Sequence, residues 1–275
     1  MITERWHKAG ETRLNYASTE GNAPPLVLLH GTANRWQAFQ LLIPELSTRW
    51  KVYAPDFRGH GSSMHTKEYG FGYYVEDTVH FLKHAVVEPA VLFGHSLGGR
   101  VATKIAAEHP DHVRGLILGD SSLKEPVASD RMRDAFGGLI KLIEEQKTTQ
   151  NIYKALREAD PQGFNPTYGM YRAKSLSKLD PNLLRSIIDN GMDLDSPGNH
   201  FNGYHPMEHI KHIKCPVLIL QAEHGMLSDQ EVENALNTIP EAYHVVLRDA
   251  PHEFLTKPSE PLLRALLSFL EAIRD

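Results

Sequence analysis

The sequence predicts an α/β fold: a mostly parallel eight-stranded sheet flanked by helices, with a helical cap inserted after the sixth strand. Three observations carry this. Short apolar runs recur along the chain: LVLL at 26–29, KVYA at 51–54, AVLF at 90–93, GLIL at 115–118, VLIL at 217–220 and HVVL at 244–247. Runs without polar alternation suit strands buried on both faces, as a parallel sheet covered by helices requires. The stretches between them carry apolar residues at helical spacing. That alternation of strand and helix then stops between about 122 and 210, where helical patterns continue without a clear strand.

Taken in order, the amphipathic segments 3–8 and 11–17 predict an antiparallel pair at the edge of the sheet. The next runs, LVLL and KVYA, are core strands. After AVLF, the residues Leu97, Val101, Ala102, Ile105 and Ala106 make one apolar helix face, and that helix must stop before Pro110. Within the insertion, AFGGLIKLIEEQ and PNLLRSIIDNGM read as helices between loops rich in Pro, Gly and Asn. Two further strands, VLIL and HVVL, lead to a final helix over EPLLRALLSFLEAI. The expected organisation is a core from 1–121 and 211–275 with a helical cap, or lid, over 122–210.

Composition narrows the class of function. Hydrophobic residues make up 41% of the chain, enough for a large core and too many for a disordered protein. The net charge is −5 with no basic cluster, which argues against nucleic acid or an anionic membrane surface as a partner. A single cysteine, Cys215, leaves no intramolecular disulfide to form and fits a reducing compartment. The first residues are charged and have no apolar signal-peptide core, and no apolar run approaches the roughly 20 residues of a membrane span. A cytoplasmic location is the expectation.

The most informative stretch is VLFGHSLGGR, residues 91–100. An apolar strand runs straight into Gly94-His95-Ser96-Leu97-Gly98 and then into the helix. This is a G-x-S-x-G pattern in a strand–turn–helix setting. Glycines two positions either side of the serine let strand and helix approach closely. A serine on such a tight turn stands above the carboxyl end of the sheet, where ligands bind in open α/β folds.

Three other segments join it in order: LVLLHGTANRW, YAPDFRGHGSS and VLRDAPHEFLTKPSE. Together the four resemble the α/β-hydrolase family over nearly the whole chain, on its serine esterase and lactonase side. The resemblance implies that GHSLGG is the nucleophile elbow with Ser96 as nucleophile. It implies an oxyanion hole from the backbone N–H groups of Leu97 and of Thr32, and a catalytic base at His252. His95, beside the nucleophile, is expected to be structural.

The acid departs from the family pattern. It usually follows the seventh strand in a G-x-x-D pattern, but LILQAEHGMLSD puts Ala222 at the Gly and Gly225 at the Asp. Some branches, the haloalkane dehalogenase-like ones among them, carry the acid after the preceding strand. Here Asp120 ends GLILGD, and it is the preferred acid. Glu223 is the alternative, and Asp229 lies further along the same loop. HPMEHIKH, with His205, His209 and His212, is not a metalloprotease pattern and is expected to be a solvated helix face rather than a metal site. No cofactor is expected.

A serine at the elbow suits attack on an ester, thioester or lactone carbonyl through an acyl-enzyme, and disfavours the haloalkane and epoxide hydrolysis that resembles attack by an aspartate. C–C bond hydrolysis and perhydrolase activity also use serine on this fold. Two rival classes are a non-hydrolytic binding protein and a cofactor-independent oxygenase working with a His–Asp pair. The partner expected is a small-molecule acyl substrate held by cap residues, with Phe136, Tyr168 and Met192 as lining.

Overall fold

The computed structural model describes residues 1–126, 129–189 and 200–274. Eight strands form one sheet: β1 (Ile2–Ala9), β2 (Thr12–Thr19), β3 (Pro25–Leu29), β4 (Lys51–Pro55), β5 (Ala90–His95), β6 (Val113–Gly119), β7 (Val217–His224) and β8 (Ala242–Pro251). Their spatial order is β1-β2-β4-β3-β5-β6-β7-β8. β1 and β2 pair antiparallel in an unbroken register from Ile2 opposite Thr19 to Ala9 opposite Thr12, and β2 joins β4 antiparallel. Every later pairing is parallel.

Burial follows position in the sheet. β3 and β5 are buried at every residue, because helices cover both faces. β8 is the far edge, and most of its residues are part or fully exposed. HVVL therefore departs from the rule that apolar runs are doubly buried: Val245 and Val246 are half-buried and only Leu247 is sealed.

The helices pack in two layers. α1 (Ile43–Leu46), α2 (Phe71–Phe81) and α3 (Leu97–Glu108) fall between the early strands, and α3 buries all five apolar residues of its predicted face. After β6 comes the helical insertion: α4 (Asp130–Gln146), α5 (Thr149–Ala159), α6 (Pro166–Leu176) and α7 (Pro181–Asp189), the first three capped by the side chains of Ser129, Thr148 and Asn165. α8 (Pro206–His209) returns the chain to β7. α9 (Asp229–Thr238), which carries a Ser228–Glu231 capping box, and α10 (Glu260–Ala272) complete the order. One apolar cluster, with α2, α3 and the insertion, lies on one face of the sheet; the other, with α10 and the Trp36–Leu46 segment, lies on the opposite face.

Candidate active site

Ser96 follows the buried strand β5 and occupies the N-cap of α3 with φ 52° and ψ −115°. A positive φ is strained for any residue with a Cβ and is a recurrent feature of functional turns. Serine at an N-cap normally folds its hydroxyl onto the helix, but here it makes no capping bond, so Oγ is left for chemistry. A Cβ on Gly94 would overlap the Gly98 backbone, and one on Gly98 would overlap the Leu29 carbonyl. Both glycines are therefore required by close approach. The Ser96 N–H donates to Gly119 O at 3.1 Å and Ser121 Oγ donates to Ser96 O at 2.8 Å, which ties the turn to the end of β6.

The loop after β3 closes over Ser96. A Cβ on Gly31 would come within 3.1 Å of the Ser96 Cβ, so Thr32 follows a residue that packs closely on Ser96. Asn34 N–H donates to Gly31 O at 3.2 Å, and Ala33 takes φ 59°. Leu97 opens α3, where first-turn N–H groups have no intrahelical acceptor. Two residues behind the loop hold it. His30, buried and pushed down to about 4 by loss of water, is neutral; it donates from Nδ1 to Gly31 O at 2.8 Å and accepts from the Phe57 N–H at 3.0 Å. Asp56 accepts from Trp36 N at 2.7 Å, Ser62 N at 2.9 Å and Asn15 Nδ2 at 3.1 Å.

His252 and Asp120 meet at 2.6 Å, Nδ1 to Oδ2. Asp120 is 0% exposed and takes φ 43°. It also accepts from the amides of Met226 at 2.8 Å, Leu227 at 3.2 Å and Ala222 at 3.3 Å. Burial alone would raise its pKa; the His252 bond and the amides outweigh it and hold the carboxyl below the usual range. With Nδ1–H given to the carboxylate, Nε2 of His252 is the free ring nitrogen. His95, neutral through burial, donates from Nε2 to the His252 carbonyl at 2.8 Å, with the two ring centroids 4.7 Å apart.

Gly225 explains the departure from the family pattern. A Cβ there would fall on the Asp120 carboxylate. The two positions compete for one volume, so an acid at 120 leaves room only for glycine at 225. Glu223 is turned away: it accepts from Arg248 Nη1 at 3.0 Å and from Asp249 N at 2.8 Å, on the exposed surface. Asp229 is spent on Gln221 Nε2 at 2.8 Å.

Other expected site residues are placed as follows. Tyr168 lines a cleft of about 1010 Å³ together with His252, Tyr171, Leu41, His224 and Thr256; Ser96 itself is not among its walls. Phe136 does not line this cleft. It lies on α4, packed against the core on the insertion side. Met192 lies outside the described residues. A second cleft of about 990 Å³, beside Arg58, Tyr73 and His80, holds none of the residues above. His205, His209 and His212 do not share a solvated face: His209 is 8% exposed, stacks on Tyr204 and points Nε2 at Lys104 and Glu108, because α8 lies against α3. Among the described residues, the grouping of possible metal ligands is instead Glu223, His224 and Asp249, all exposed and partly engaged in the pairings above.

A polar junction beside the site has no counterpart among the sequence expectations. Asn34 Nδ2 donates to Glu253 at 3.2 Å, and Asn34 Oδ1 accepts from Tyr171 OH at 2.9 Å. Arg172 Nη1 donates to Ala33 O at 3.1 Å. Helix α6 of the insertion is thus pinned to the loop over Ser96, which Asn34 in turn ties to the loop carrying His252. The one sequence signal is ANRW following HGT, which marks the loop but not its partners.

Residues 24–257 match the family model of the alpha/beta hydrolase fold. The chain belongs to that family. It is 26% identical over 265 residues to the 2-(acetamidomethylene)succinate hydrolase of Mesorhizobium japonicum, covering 92% of this chain and 90% of that protein. It is likewise 26% identical over 258 residues to the pimeloyl-[acyl-carrier protein] methyl ester esterase of Vibrio vulnificus, covering 91% and 96%. Among solved structures, the enol-lactonase from Burkholderia xenovorans superposes with a TM-score of 0.76 at 18% identity, covering 97% of this chain and 100% of that chain. No helix among the described residues is long and apolar enough to cross a membrane.

Proposed function

We propose that this hydrolase cleaves a carboxylic ester, thioester or lactone through an acyl-enzyme, with Ser96 as nucleophile, His252 as base, Asp120 as its acid partner and 122–210 as a cap over the site. The observation that carries the reading is the part-buried Asp120–His252 bond of 2.6 Å, together with a turn serine whose hydroxyl is not used to cap its helix. His252 Nε2 takes the Ser96 proton as Oγ bonds to the acyl carbon. The carbonyl π electrons move to oxygen, and the Leu97 and Thr32 N–H groups receive the oxyanion. As the oxyanion collapses, the bond to the leaving oxygen or sulfur breaks, and the imidazolium returns the proton to it. Water then attacks the acyl-enzyme, gives its proton to His252, and the acid leaves as Ser96 is reprotonated. Asp120 stays ionised throughout and stabilises the imidazolium. The similarity to a methyl ester esterase and to a 2-(acetamidomethylene)succinate hydrolase supports hydrolysis at an acyl centre.

The test is hydrolysis of short-chain p-nitrophenyl esters by wild type and Ser96→Ala, with a fluorophosphonate label as a second readout. Wild-type turnover and labelling at Ser96, both lost in Ser96→Ala, are expected. Turnover that survives in Ser96→Ala, or a label that falls elsewhere, overturns the assignment.

A further inference from the structure

Asn34 is 1% exposed, so its side-chain amide needs partners inside the protein. An amide offers a donor at one end and an acceptor at the other. Nδ2 donates to Glu253, the residue after His252, at 3.2 Å. Oδ1 accepts from the Tyr171 hydroxyl at 2.9 Å and from Arg172 Nη1 at 3.4 Å. Chemistry fixes this orientation, because a carboxylate only accepts and a guanidinium only donates. The backbone of the same residue closes the turn over Ser96: its N–H donates to Gly31 O at 3.2 Å, with Thr32 and Ala33 between. Ala33 takes φ 59°, a conformation that persists only where its surroundings hold it, and Arg172 Nη1 holds its carbonyl at 3.1 Å. The turn that aims the Thr32 N–H, the loop that carries His252 and helix α6 of the insertion therefore meet at one buried side chain.

The insertion is also tied to the core away from the site. Asp180 N–H donates to Gly59 O at 2.9 Å, and the Tyr69 hydroxyl donates to Asp180 Oδ2 at 2.7 Å. Those bonds fix the segment between α6 and α7 and involve none of Ser96, Thr32 and His252. The Asn34 junction is different. For α6 to lift, Oδ1 of Asn34 must lose both its donors and Ala33 O must lose Arg172, which strips buried acceptors and releases a strained turn. We propose that Asn34 is a positioning residue that holds the oxyanion turn and the His252 loop in their productive arrangement only while α6 is docked, so that seating of the insertion completes the site. The proposal rests on the serine-hydrolase reading above.

The test measures kcat, KM and Tm with a short-chain p-nitrophenyl ester in wild type, Tyr171→Phe, Asn34→Asp and Asn34→Asp/Glu253→Gln, with Tyr69→Phe as the control. Tyr171→Phe keeps the ring and removes one donor to Oδ1; kcat should fall at least about fivefold while KM changes less than about twofold. Asn34→Asp sets a carboxylate oxygen against Glu253 and should lower kcat about 100-fold. Adding Glu253→Gln rebuilds that bond with donor and acceptor exchanged, at the same total charge and the same side-chain shapes, and should recover at least about tenfold of the loss. Tyr69→Phe should lower Tm and keep kcat within about twofold. A Tyr171→Phe kcat no lower than that of Tyr69→Phe, or a double variant no better than Asn34→Asp, overturns the proposal. If Asn34→Asp does not fold, Tyr171→Phe against Tyr69→Phe decides it. Hydrogen exchange separates it from the hydrolase reading. Faster exchange in Tyr171→Phe at 31–36 and 252–256 as well as in α6 supports the coupling even if no ester turns over. Faster exchange confined to α6, or none, refutes it even if every ester does.

Discussion

The ends of β6 and β7 lie side by side in the sheet, each finishes near a carboxylate, and they have opposite fates. Asp120, after β6, is fully buried, receives three backbone amides and holds His252. Glu223, near the end of β7, lies on the surface and is occupied by Arg248 and the Asp249 amide. Parallel neighbours deliver their carboxyl ends to the same edge, and the Asp120 N–H even bonds to Leu220 O at 2.7 Å. Either strand end could therefore supply an acid to one histidine, but the volume holds a single carboxylate. Which end carries it is decided by which position is glycine.

The largest effect that sharpens this comparison is Asp120→Asn. A wrong tautomer at the histidine should lower kcat by about 10³–10⁴, the scale known for the same change in a serine-protease triad. Retention of near-normal turnover of a p-nitrophenyl ester would break the comparison at its root. Next comes moving the acid. Gly225→Asp in the native background should overpack the site, losing about 1–3 kcal/mol of stability in urea melts together with most of the activity. Combined with Asp120→Gly it removes that overlap, and the double variant should turn over at least about tenfold faster than Asp120→Gly alone. A double variant no better than the single one would show that the two positions do not share a volume.

A smaller effect concerns pH. Glu231 is held at about 2 against an ordinary 4.5: burial opposes its charge, but the Ser122, Ser228 and Leu123 donors prevail. Because its folded value is depressed, its contribution to stability is full above about pH 4.5 and disappears as pH falls toward 2. Asp120 acts in the same direction below the ordinary carboxylate range. Wild-type Tm should fall through this window, and Glu231→Gln should flatten part of that fall; an unchanged slope counts against it. The smallest effect expected is Glu223→Gln, whose pairing lies on the surface and is screened by water, and whose kcat should change less than about threefold. A loss comparable to that of Asp120→Asn would reverse the roles of the two strand ends.

Much of the site is legible in the sequence. Ser96 and His252 are marked by local patterns, a turn between a strand and a helix and a loop before a final helix. The break at Gly225 is visible as a missing aspartate, and it points back to Asp120. What local patterns do not carry is why Gly225 is a glycine, since the clash joins residues on different strands. The Asn34–Glu253–Tyr171 junction is hidden for the same reason, with its members spread over three segments. The spacing of HPMEHIKH predicts a solvent-facing His209, and the structure buries it, because its helix packs against α3 through contacts that no local pattern encodes.

By itself, then, the sequence determined the class of fold, the order of its strands along the chain and the elbow serine, because these follow from periodicity and turn chemistry within a few residues. The tertiary structure alone decided that β6 and β7 lie side by side, that one carboxylate excludes a side chain at 225, and that α6 is pinned to the loop over Ser96. Those are facts about volume and charge between distant segments, and they exist only once the sheet has brought the segments together.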